Sequence, residues 1–280
     1  KALLYIHQKF PPLLYFIHVL PDFVFTISID QTNYCKMHKY KILLLGVNGF
    51  IGSNLFKNLN DKYIVYCASI TIENSELQEL VSKSDIIIHS IGVTKSQMEN
   101  DFFKINIDFS FKLFTILCNY EKKKLIYFSS IHYHRNDLYG FSKRYNEYLF
   151  SKEEFITKNQ SFIIRTPGIF GPGSKPNNVS VVSTFCYNIV NKIQSKITDP
   201  EKVLEIYYID DLVSEINNLF ENNKHYNVIQ LNSEQITVKQ LFKLIKDISI
   251  NNFSDIDKLY STNFIDNITK TYNSFKYVTK

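Results

Sequence analysis

The chain has 280 residues, 45% hydrophobic and 15% aromatic, enough for one large packed domain or one domain with a smaller lobe. Its 32 basic and 27 acidic residues give a net charge of +5 and are dispersed. The basic run Lys122–Lys124 directly precedes a predicted strand and lacks the patterns of nucleic-acid-binding motifs, so we predict no nucleic-acid interface.

The four cysteines are scattered and form no CxxC motif, which predicts neither a zinc site nor a disulfide framework. Cys67 and Cys118 lie in apolar runs, and we expect buried thiols of a reducing compartment, which favours the cytoplasm. His132 and His134 could point to one side of an extended segment. No carboxylate or thiol ligand lies near them in sequence, so we expect no metal site.

The first 36 residues differ in composition from the rest. Their apolar clusters are broken by Pro11-Pro12, by Pro21 and by histidines, and never reach the roughly 20 apolar residues that a membrane span needs. No small-residue cleavage site of a signal peptide follows. We therefore expect residues 1–36 to be an upstream extension or a translated leader, with Met37 as the natural start and no membrane insertion. An aromatic arm that packs on the fold or on a membrane surface is the alternative.

From Lys41 onward, short apolar runs alternate with segments of helical period. Strands are predicted at residues 41–45, 63–67, 85–89, 124–128 and 161–165, and helices at residues 50–59, 75–83, 102–120 and 139–150. Strands that alternate with helices are joined by right-handed crossovers and form a parallel sheet. We therefore predict an α/β protein with a Rossmann-like, doubly wound parallel sheet.

The composition changes after Arg165. Prolines and glycines recur within residues 166–178 and predict a loop of the length that binding loops have. Further elements are predicted at 181–193 (helix), 203–209 (strand) and 211–220 (helix), and the last 60 residues are predicted to add one or two more helices around 238–248. We predict a nucleotide-binding Rossmann domain over residues 37–165 and a smaller C-terminal substrate-binding lobe over residues 166–280.

A glycine turn, Gly46-Val-Asn-Gly-Phe-Ile-Gly52, follows the first predicted strand. A strand, a glycine turn and a helix N-terminus together make a pyrophosphate site, because free amides and the helix dipole face the anion. The spacing is GxxGxxG rather than GxGxxG, so the motif alone could also be a plain turn. The chain has only 8 glycines, however, well below the usual share of about 7%, which indicates that they are kept where backbone must approach something closely.

A second motif, Tyr139-Gly-Phe-Ser-Lys143, places a phenol and an ammonium at i and i+4, on one face of a predicted helix. A lysine beside a tyrosine is expected to lower the pKa of the phenol from its usual value of about 10. The ordinary alternative is a half-buried helix tyrosine without a chemical role.

Candidate site residues lie at the predicted carboxyl ends of the strands, namely Gly46, Gly92, Ser130 and Arg165. Parallel sheets bind ligands beyond these ends. The coincidence predicts a single shared site, although Ser130 by itself could equally be an ordinary helix cap.

Taken in order over roughly residues 40–220, the motifs resemble the extended short-chain dehydrogenase/reductase family. They are GVNGFIG at 46–52, Ser129-Ser130 after a strand, YGFSK at 139–143, RTPGIFGPG at 165–173 and YIDD at 208–211. A closer resemblance is to the reductase domain of bacterial capsule and O-antigen reductases of the UDP-N-acetyl-L-fucosamine pathway. It rests on the short stretch from Ser130 to Tyr139, on Lys175-Pro-Asn177 and on Thr184-Phe-Cys186. In the bifunctional members a cupin domain follows, and this chain stops before it.

The resemblance implies an NAD(P)H-dependent reductase of a 4-keto UDP-sugar, with NADP as cofactor and NAD as the other possibility. It makes Tyr139 the general acid, Lys143 the contact of the nicotinamide ribose and Ser130 the partner of the substrate oxygen. The implied cofactor-binding residues are Gly46, Asn48, Gly49, Phe50, Ile51, Gly52, Ile91, Gly92, Val93, Ser129, Tyr139, Lys143 and Pro167. The implied substrate-binding residues are Thr94, Lys95, Ser130, Arg165, Gly168, Lys175 and Asn177.

The resemblance also implies a homodimer, in which helices 102–120 and 139–150 form a four-helix interface. Phe102, Phe109 and Phe111 give the first of these helices more aromatic surface than one sheet face needs.

The sequence departs from the resembled pattern at three places. Gly168 stands where the closer relatives carry a polar Asn, and Ile91 replaces a smaller residue before Gly92. The end of the second strand, residues 67–70, has neither the acid expected for NAD nor the Arg expected for a 2′-phosphate. Without an acid there is no repulsion against NADP.

Other functions use the same motifs. A sugar 4-epimerase would employ Tyr139 and Lys143 with tightly retained NAD, and a non-catalytic NAD(P)-binding scaffold is a further alternative. A 4,6-dehydratase is disfavoured, because Ile131 and His132 follow Ser130 in place of an acid–base pair.

Overall fold

The structure is a computed structural model that describes residues 16–19, 25–28, 40–96, 98, 100–178, 180–221, 228–252 and 259–276. The chain forms two compact units, residues 1–39 and residues 40–280. In the first unit, Phe16–Val19 (β1) pairs antiparallel with Phe25–Ser28 (β2). We did not predict these strands, because the segment shows neither clear alternation nor a helical period.

The second unit alternates strands and helices, as predicted. Its strands are Lys41–Leu45 (β3), Ile64–Ala68 (β4), Ile86–His89 (β5), Lys124–Ser130 (β6), Gln160–Thr166 (β7), Gly168–Phe170 (β8), Val203–Tyr208 (β9), Val228–Gln230 (β10) and Glu234–Thr237 (β11). Its α-helices are Phe50–Leu59 (α1), Asn74–Lys83 (α2), Phe109–Leu117 (α3), Leu138–Thr157 (α4), Val181–Val190 (α5), Ile209–Glu221 (α6), Val238–Ser249 (α7) and Thr262–Lys276 (α8). Phe102–Asp108 is π-helical and leads into α3, and Ile131–His134 is a 3₁₀-helix.

The large sheet confirms the predicted Rossmann-like fold. Six parallel strands lie in the order β10-β7-β6-β5-β3-β4. From β3 the chain moves outward to β4 and then returns to the other side as β5, so the direction of strand order reverses beside β3. Ligands of doubly wound sheets bind in the crevice at such a reversal, beyond the carboxyl ends of the strands. In this chain, that crevice lies above Leu45 and His89.

Apolar side chains bury both faces of the sheet. Successive residues of β3 point to opposite sides, so Leu43 and Leu45 pack with α2, α3 and α4, whereas Ile42 and Leu44 pack with α1 and α6. Unbroken apolar runs are typical of parallel strands that are buried on both faces. This packing makes the central strands a rigid support for the loops at their carboxyl ends.

The C-terminal part is less separate from the Rossmann domain than we predicted. Strands β11, β9 and β8 form a second sheet, which α5, α7 and α8 accompany. However, α6 packs on the large sheet and β10 adds an edge strand to it. One apolar core runs from Ile42 through Phe170 to Phe264. The C-terminal lobe and the large sheet therefore share one apolar core.

Several local expectations were wrong. The predicted helix 102–120 is π-helical up to Asp108, and Cys67 is exposed and Cys118 half-buried, while Cys186 is buried. Strands β8, β10 and β11 were not predicted, and the last 60 residues contain two helices, α7 and α8, where one or two were predicted. Among the helices that the structure describes, none is long and apolar enough to cross a membrane.

Candidate active site

The glycine turn lies between β3 and α1 and leaves the first turn of α1 open. Gly46 has φ +92°, a conformation that favours glycine, and a Cβ there would lie 2.8 Å from Ser90 Oγ. Gly49 is the N-cap of α1 and provides no side-chain hydrogen bond to the first turn. The amides and the positive end of the helix dipole are thus available to an anion. Asn48 and Gly49 are exposed at this point.

Gly52 serves packing more than ligand approach. A Cβ on Gly52 would lie 2.2 Å from the carbonyl oxygen of Gly46, so α1 sits too close to the turn for any side chain. At Gly49 the nearest protein atom to such a Cβ is 3.3 Å away. Of these two glycines, only Gly49 therefore leaves room for a bound pyrophosphate.

The loop after β5, residues 90–93, is held by a buried amide that the sequence analysis missed. The Val93 N–H donates to Asn106 Oδ1 at 2.8 Å, and Asn106 Nδ2 donates to the Val93 carbonyl at 3.0 Å and to Ser142 Oγ at 3.1 Å. Asn106 is 1% exposed. The Asn that lies between the phenylalanines of residues 102–111 was the available signal, because buried amides are kept where they are fully bonded.

Tyr139 and Ser130 come together at the carboxyl end of β6. Asp137 caps α4 by accepting from the Gly140 N–H at 2.8 Å, which starts the helix directly before Tyr139. Tyr139 is 8% exposed, and burial raises the pKa of its phenol, while a hydrogen bond with Ser130 opposes this. Our expectation of a lowered pKa was therefore wrong for this structure. The phenol is a neutral hydrogen-bond donor, as a general acid must be.

Lys143 lies one helical turn further along α4. Its Nζ donates to the Phe128 carbonyl of β6 at 2.8 Å and is 5.8 Å from the centre of the Tyr139 ring. Burial lowers the pKa of this ammonium to about 8, and the charge of Glu147 opposes the change. A Cβ on Gly92 would lie 3.6 Å from Nζ, which is ordinary contact distance, so the loop after β5 borders the ammonium.

Arg165 is bound by side chains of neighbouring elements. Its Nε and Nη2 donate to the Glu147 carboxylate at 3.1 and 2.8 Å, and its guanidinium lies 3.5 Å from the centre of the Tyr133 ring. Ser129 Oγ donates to the same carboxylate at 2.5 Å. Arg165 thus has a structural partner, Glu147, which the sequence analysis did not single out, and its contact with substrate stays a prediction.

A cleft of about 360 Å³ lies between the loop after β5 and the C-terminal part. Lys95 and Asn177, two of the predicted substrate residues, line it, and Lys95 Nζ donates to the Asn178 carbonyl at 3.1 Å. Lys196, Lys202, Asp199 and the N-terminus of α5 also line it. The lysines of residues 190–202 were missed, because isolated basic residues in a loop resemble an ordinary solvated surface.

The remaining predicted residues lie around these groups. Pro167 is buried directly after Thr166, whose Oγ1 donates to the Ser129 carbonyl at 2.8 Å. Gly168 is exposed at the start of β8, and a Cβ there would lie 3.2 Å from the Glu205 carbonyl. Thr94 and Lys175 are exposed loop residues.

These features together define the class of protein. Residues 42–230 match the NAD dependent epimerase/dehydratase family, and the chain belongs to it. It is therefore an enzyme of a class that uses a nicotinamide cofactor. One named relative is similar to most of the chain. Over 208 residues the chain is 33% identical to UDP-2-acetamido-2,6-beta-L-arabino-hexul-4-ose reductase of Pseudomonas aeruginosa, which covers 72% of this chain but only 55% of the relative.

Solved structures agree with the fold. The capsular polysaccharide assembling protein CapF of Staphylococcus aureus matches with a TM-score of 0.69 and 26% identity, over 84% of this chain and 64% of that chain. UDP-glucuronic acid 4-epimerase of Bacillus cereus, in complex with NAD, matches with a TM-score of 0.72 and 17% identity, over 86% of this chain and 100% of that chain. The second likeness supports the fold alone.

The site fits a dinucleotide. The open N-terminus of α1 at Gly49 could hold the pyrophosphate, and the loop around Gly92 could border the cofactor beside it. Lys143 could bind ribose hydroxyls from beneath this loop, with Tyr139 next to the reacting carbon. These groups come from three elements at the carboxyl edge of the sheet, namely α1, the loop after β5 and α4.

Proposed function

We propose that this chain is an NADPH-dependent reductase of a 4-keto UDP-sugar that serves the synthesis of capsule or O-antigen nucleotide sugars. The observation that carries the proposal is the neutral Tyr139 phenol, hydrogen-bonded to Ser130 beside the buried Lys143. The 33% identity to a hexul-4-ose reductase supports the choice of substrate class.

The cofactor supplies the hydride when it is bound. Ser130 holds the carbonyl oxygen of the substrate by a hydrogen bond, and Tyr139 donates its proton to that oxygen as the hydride reaches carbon C4. The products are an alcohol and a phenolate, whose charge the Lys143 ammonium stabilises. The proton donor and the oxygen are held in place beforehand, which is worth several orders of magnitude in rate.

The basic cleft suits the diphosphate of a UDP-sugar. Lys95, Lys196 and Lys202 line it together with the N-terminus of α5, where Ser180 accepts from the Ser183 N–H at 3.3 Å. Ammonium groups and helix N-terminal amides both attract phosphate.

The end of β4 supports NADPH over NADH. Residues 67–72 contain no acidic side chain, Ser69 and Thr71 share a hydrogen bond of 2.9 Å, and Lys112 Nζ donates to the Ile72 carbonyl at 2.5 Å. A 2′-phosphate would meet hydroxyl groups and a nearby ammonium there, without repulsion.

Exposed aromatic side chains support the predicted homodimer. Phe111 is 51% exposed on α3, and Phe103, Phe141 and Tyr148 are also exposed on the π-helical segment and α4. Of the three phenylalanines that we predicted to form this surface, Phe109 is buried and Phe102 is half-buried against Tyr139. The free thiols of Cys67, Cys118 and Cys186 agree with the predicted cytoplasmic location.

Purified protein tests the function directly. We expect NADPH oxidation, followed by absorbance at about 340 nm, only when a 4-keto UDP-sugar is added, with little oxidation of NADH. NAD that stays bound through gel filtration, with interconversion of 4-epimers and no net NADPH oxidation, would favour the 4-epimerase instead. Cofactor binding without either reaction would indicate a scaffold.

A further inference from the structure

Lys143 is enclosed by several elements and is 7% exposed. Its ammonium donates to a backbone carbonyl of β6. Gly92 lies beside both this ammonium and the neutral amide of Asn106 on the π-helical segment, because a Cβ on Gly92 would lie 3.6 Å from Nζ and 3.4 Å from Asn106 Oδ1. The titratable and charged groups that surround it come from four strands and helices: Tyr139 and Glu147 on α4, Tyr127 on β6, His89 on β5 and, behind Glu147, Arg165 on β7.

Most of these groups are uncharged. Burial lowers the pKa of His89 to about 3 and raises the pKa values of Tyr127 and Tyr139, so all three are neutral near pH 7. Of the surrounding groups just named, Glu147 alone is then an anion. Its charge is the one that compensates for the burial of the Lys143 ammonium.

Glu147 is held in place by hydrogen bonds from residues of two strands, β6 and β7. It is 9% exposed and lies one helical turn after Lys143 on α4. Arg165 binds its two oxygens in a bidentate pair and stacks on Tyr133, and Ser129 donates to the same carboxylate. These donors bind the carboxylate and leave it in the neighbourhood of Lys143 on α4.

We propose that Glu147 is a positioning residue that keeps Lys143 charged, and that the Arg165–Tyr133 stack serves to hold Glu147 in place. In this proposal Glu147 acts through Lys143 and not on the substrate or the cofactor directly. The inference deepens the proposed function, since it matters for turnover only if Lys143 serves Tyr139 and the cofactor ribose.

The sign of the effect follows from the two opposing influences on Lys143. Burial lowers the pKa of the ammonium and Glu147 raises it, with about 8 as the balance. If Glu147 loses its charge, the pKa falls further, so the ammonium loses its proton at a lower pH. An opposite charge at close range is typically worth about one to three pKa units. The alkaline limb of activity then moves toward neutral pH.

The matched pair of variants is Glu147→Gln and Arg165→Gln. Both break the same ion pair, but only Glu147→Gln removes the anion, and glutamine can still accept from Ser129. The first readout needs neither substrate nor cofactor: the Lys143 Cε resonance in protein labelled with ¹³C-lysine, followed from pH 5 to 10 and assigned by its loss in Lys143→Met. We expect its midpoint to fall by about one unit or more in Glu147→Gln, and to stay or rise in Arg165→Gln.

The second readout is the pH profile of kcat/KM for NADPH oxidation. We expect Glu147→Gln to lose about fivefold relative to the wild type at pH 8 and almost nothing at pH 6, because a one-unit fall from a pKa of about 8 lowers the charged fraction of Lys143 at pH 8 from about one half to about one tenth. Equal Lys143 midpoints in Glu147→Gln and the wild type, or equal downward shifts in both variants, would overturn the proposal. A shifted resonance in a protein without NADPH oxidation would instead leave it standing and overturn the proposed reductase function. Circular dichroism identifies a variant that fails to fold, for which Glu147→Asp is the substitute, with a smaller fall expected.

Discussion

The side-chain amide of Asn106 holds both backbone polar groups of Val93, accepting from its N–H at 2.8 Å and donating to its carbonyl at 3.0 Å. The same Nδ2 donates to Ser142 on α4. One amide thus ties the loop after β5 to the helix that carries Tyr139 and Lys143. The π-helical segment places this amide inward, and π-helical turns are frequent at functional sites.

We expect Asn106→Ala to weaken NADPH binding about tenfold, equivalent to about 1.4 kcal/mol, because the loop loses its anchor. The free energy of unfolding should fall by about 2–4 kcal/mol, because buried partners lose their hydrogen bonds. Fluorescence titration with NADPH and urea denaturation measure the two effects. Asn119→Ala is the control, since that exposed side chain bonds only carbonyls of its own helix. Similar losses in both variants would contradict the anchoring role.

Tyr139→Phe should lower kcat by about 10²–10⁴ and leave NADPH affinity nearly unchanged, because the phenol supplies proton transfer while phosphate binding depends on the glycine turn. The raised pKa of Tyr139 keeps the phenol protonated through neutral pH, so no loss of rate below about pH 9 should trace to its ionisation. Steady-state rates and NADPH titration on the same preparation separate the two quantities. A kcat equal to that of the wild type would remove Tyr139 from the mechanism.

Two glycines of the turn should respond differently to a branched side chain. In Gly49→Val the added Cβ would lie 3.3 Å from the Gly46 carbonyl oxygen, a contact that a small shift relieves, so we expect a folded protein that no longer binds NADPH. In Gly52→Val a Cβ would lie 2.2 Å from the Gly46 carbonyl, so both stability and binding should be lost. Calorimetry of NADPH binding and thermal melting distinguish the variants. Normal NADPH affinity in Gly49→Val would refute a pyrophosphate site at this turn.

The sheet could be predicted because its central strands are short apolar runs that are buried on both faces, such as Lys41–Leu45 and Ile86–His89. Strands β8, β10 and β11 could not, since each has only three or four residues and owes its pairing to neighbours distant in sequence. The π-helical stretch carries the same phenylalanine pattern as an α-helix, so periodicity alone does not separate them.

The site residues could be predicted where they lie close together in sequence, as in Gly46–Gly52 and in the pair Tyr139 and Lys143. Glu147 and Asn106 were missed because their roles depend on partners distant in sequence: Ser129 and Arg165 for the former, Ser142 and Val93 for the latter. The raised pKa of Tyr139 was missed for a related reason. Burial depends on the whole packing, whereas the sequence displays only the neighbouring lysine.

The homodimer proposal is tested at Phe111. Glutamate at an exposed aromatic position within an apolar interface would bury an unpaired charge, so we expect Phe111→Glu to be a monomer in light scattering where the wild type is a dimer. Ile250→Glu, at a position 64% exposed and outside the π-helical segment, α3 and α4, is the control and should remain dimeric. A wild type of monomer mass throughout the micromolar range counts against the proposal.

A chain shortened to begin at Met37 should fold, bind NADPH and dimerise as well as the full chain. Residues 40–280 form a compact unit of their own, and every predicted site residue lies within it. The strands β1 and β2 form a two-stranded sheet of their own. The apolar clusters of residues 1–36 should instead promote association of the longer chain, because exposed apolar surface favours aggregation. Thermal melting of both chains at equal concentration tests whether the shorter chain is as stable as the full chain. A melting temperature lowered by several degrees in the shorter chain would mean that contacts worth at least about 1 kcal/mol had been lost, and residues 1–36 would then be part of the fold.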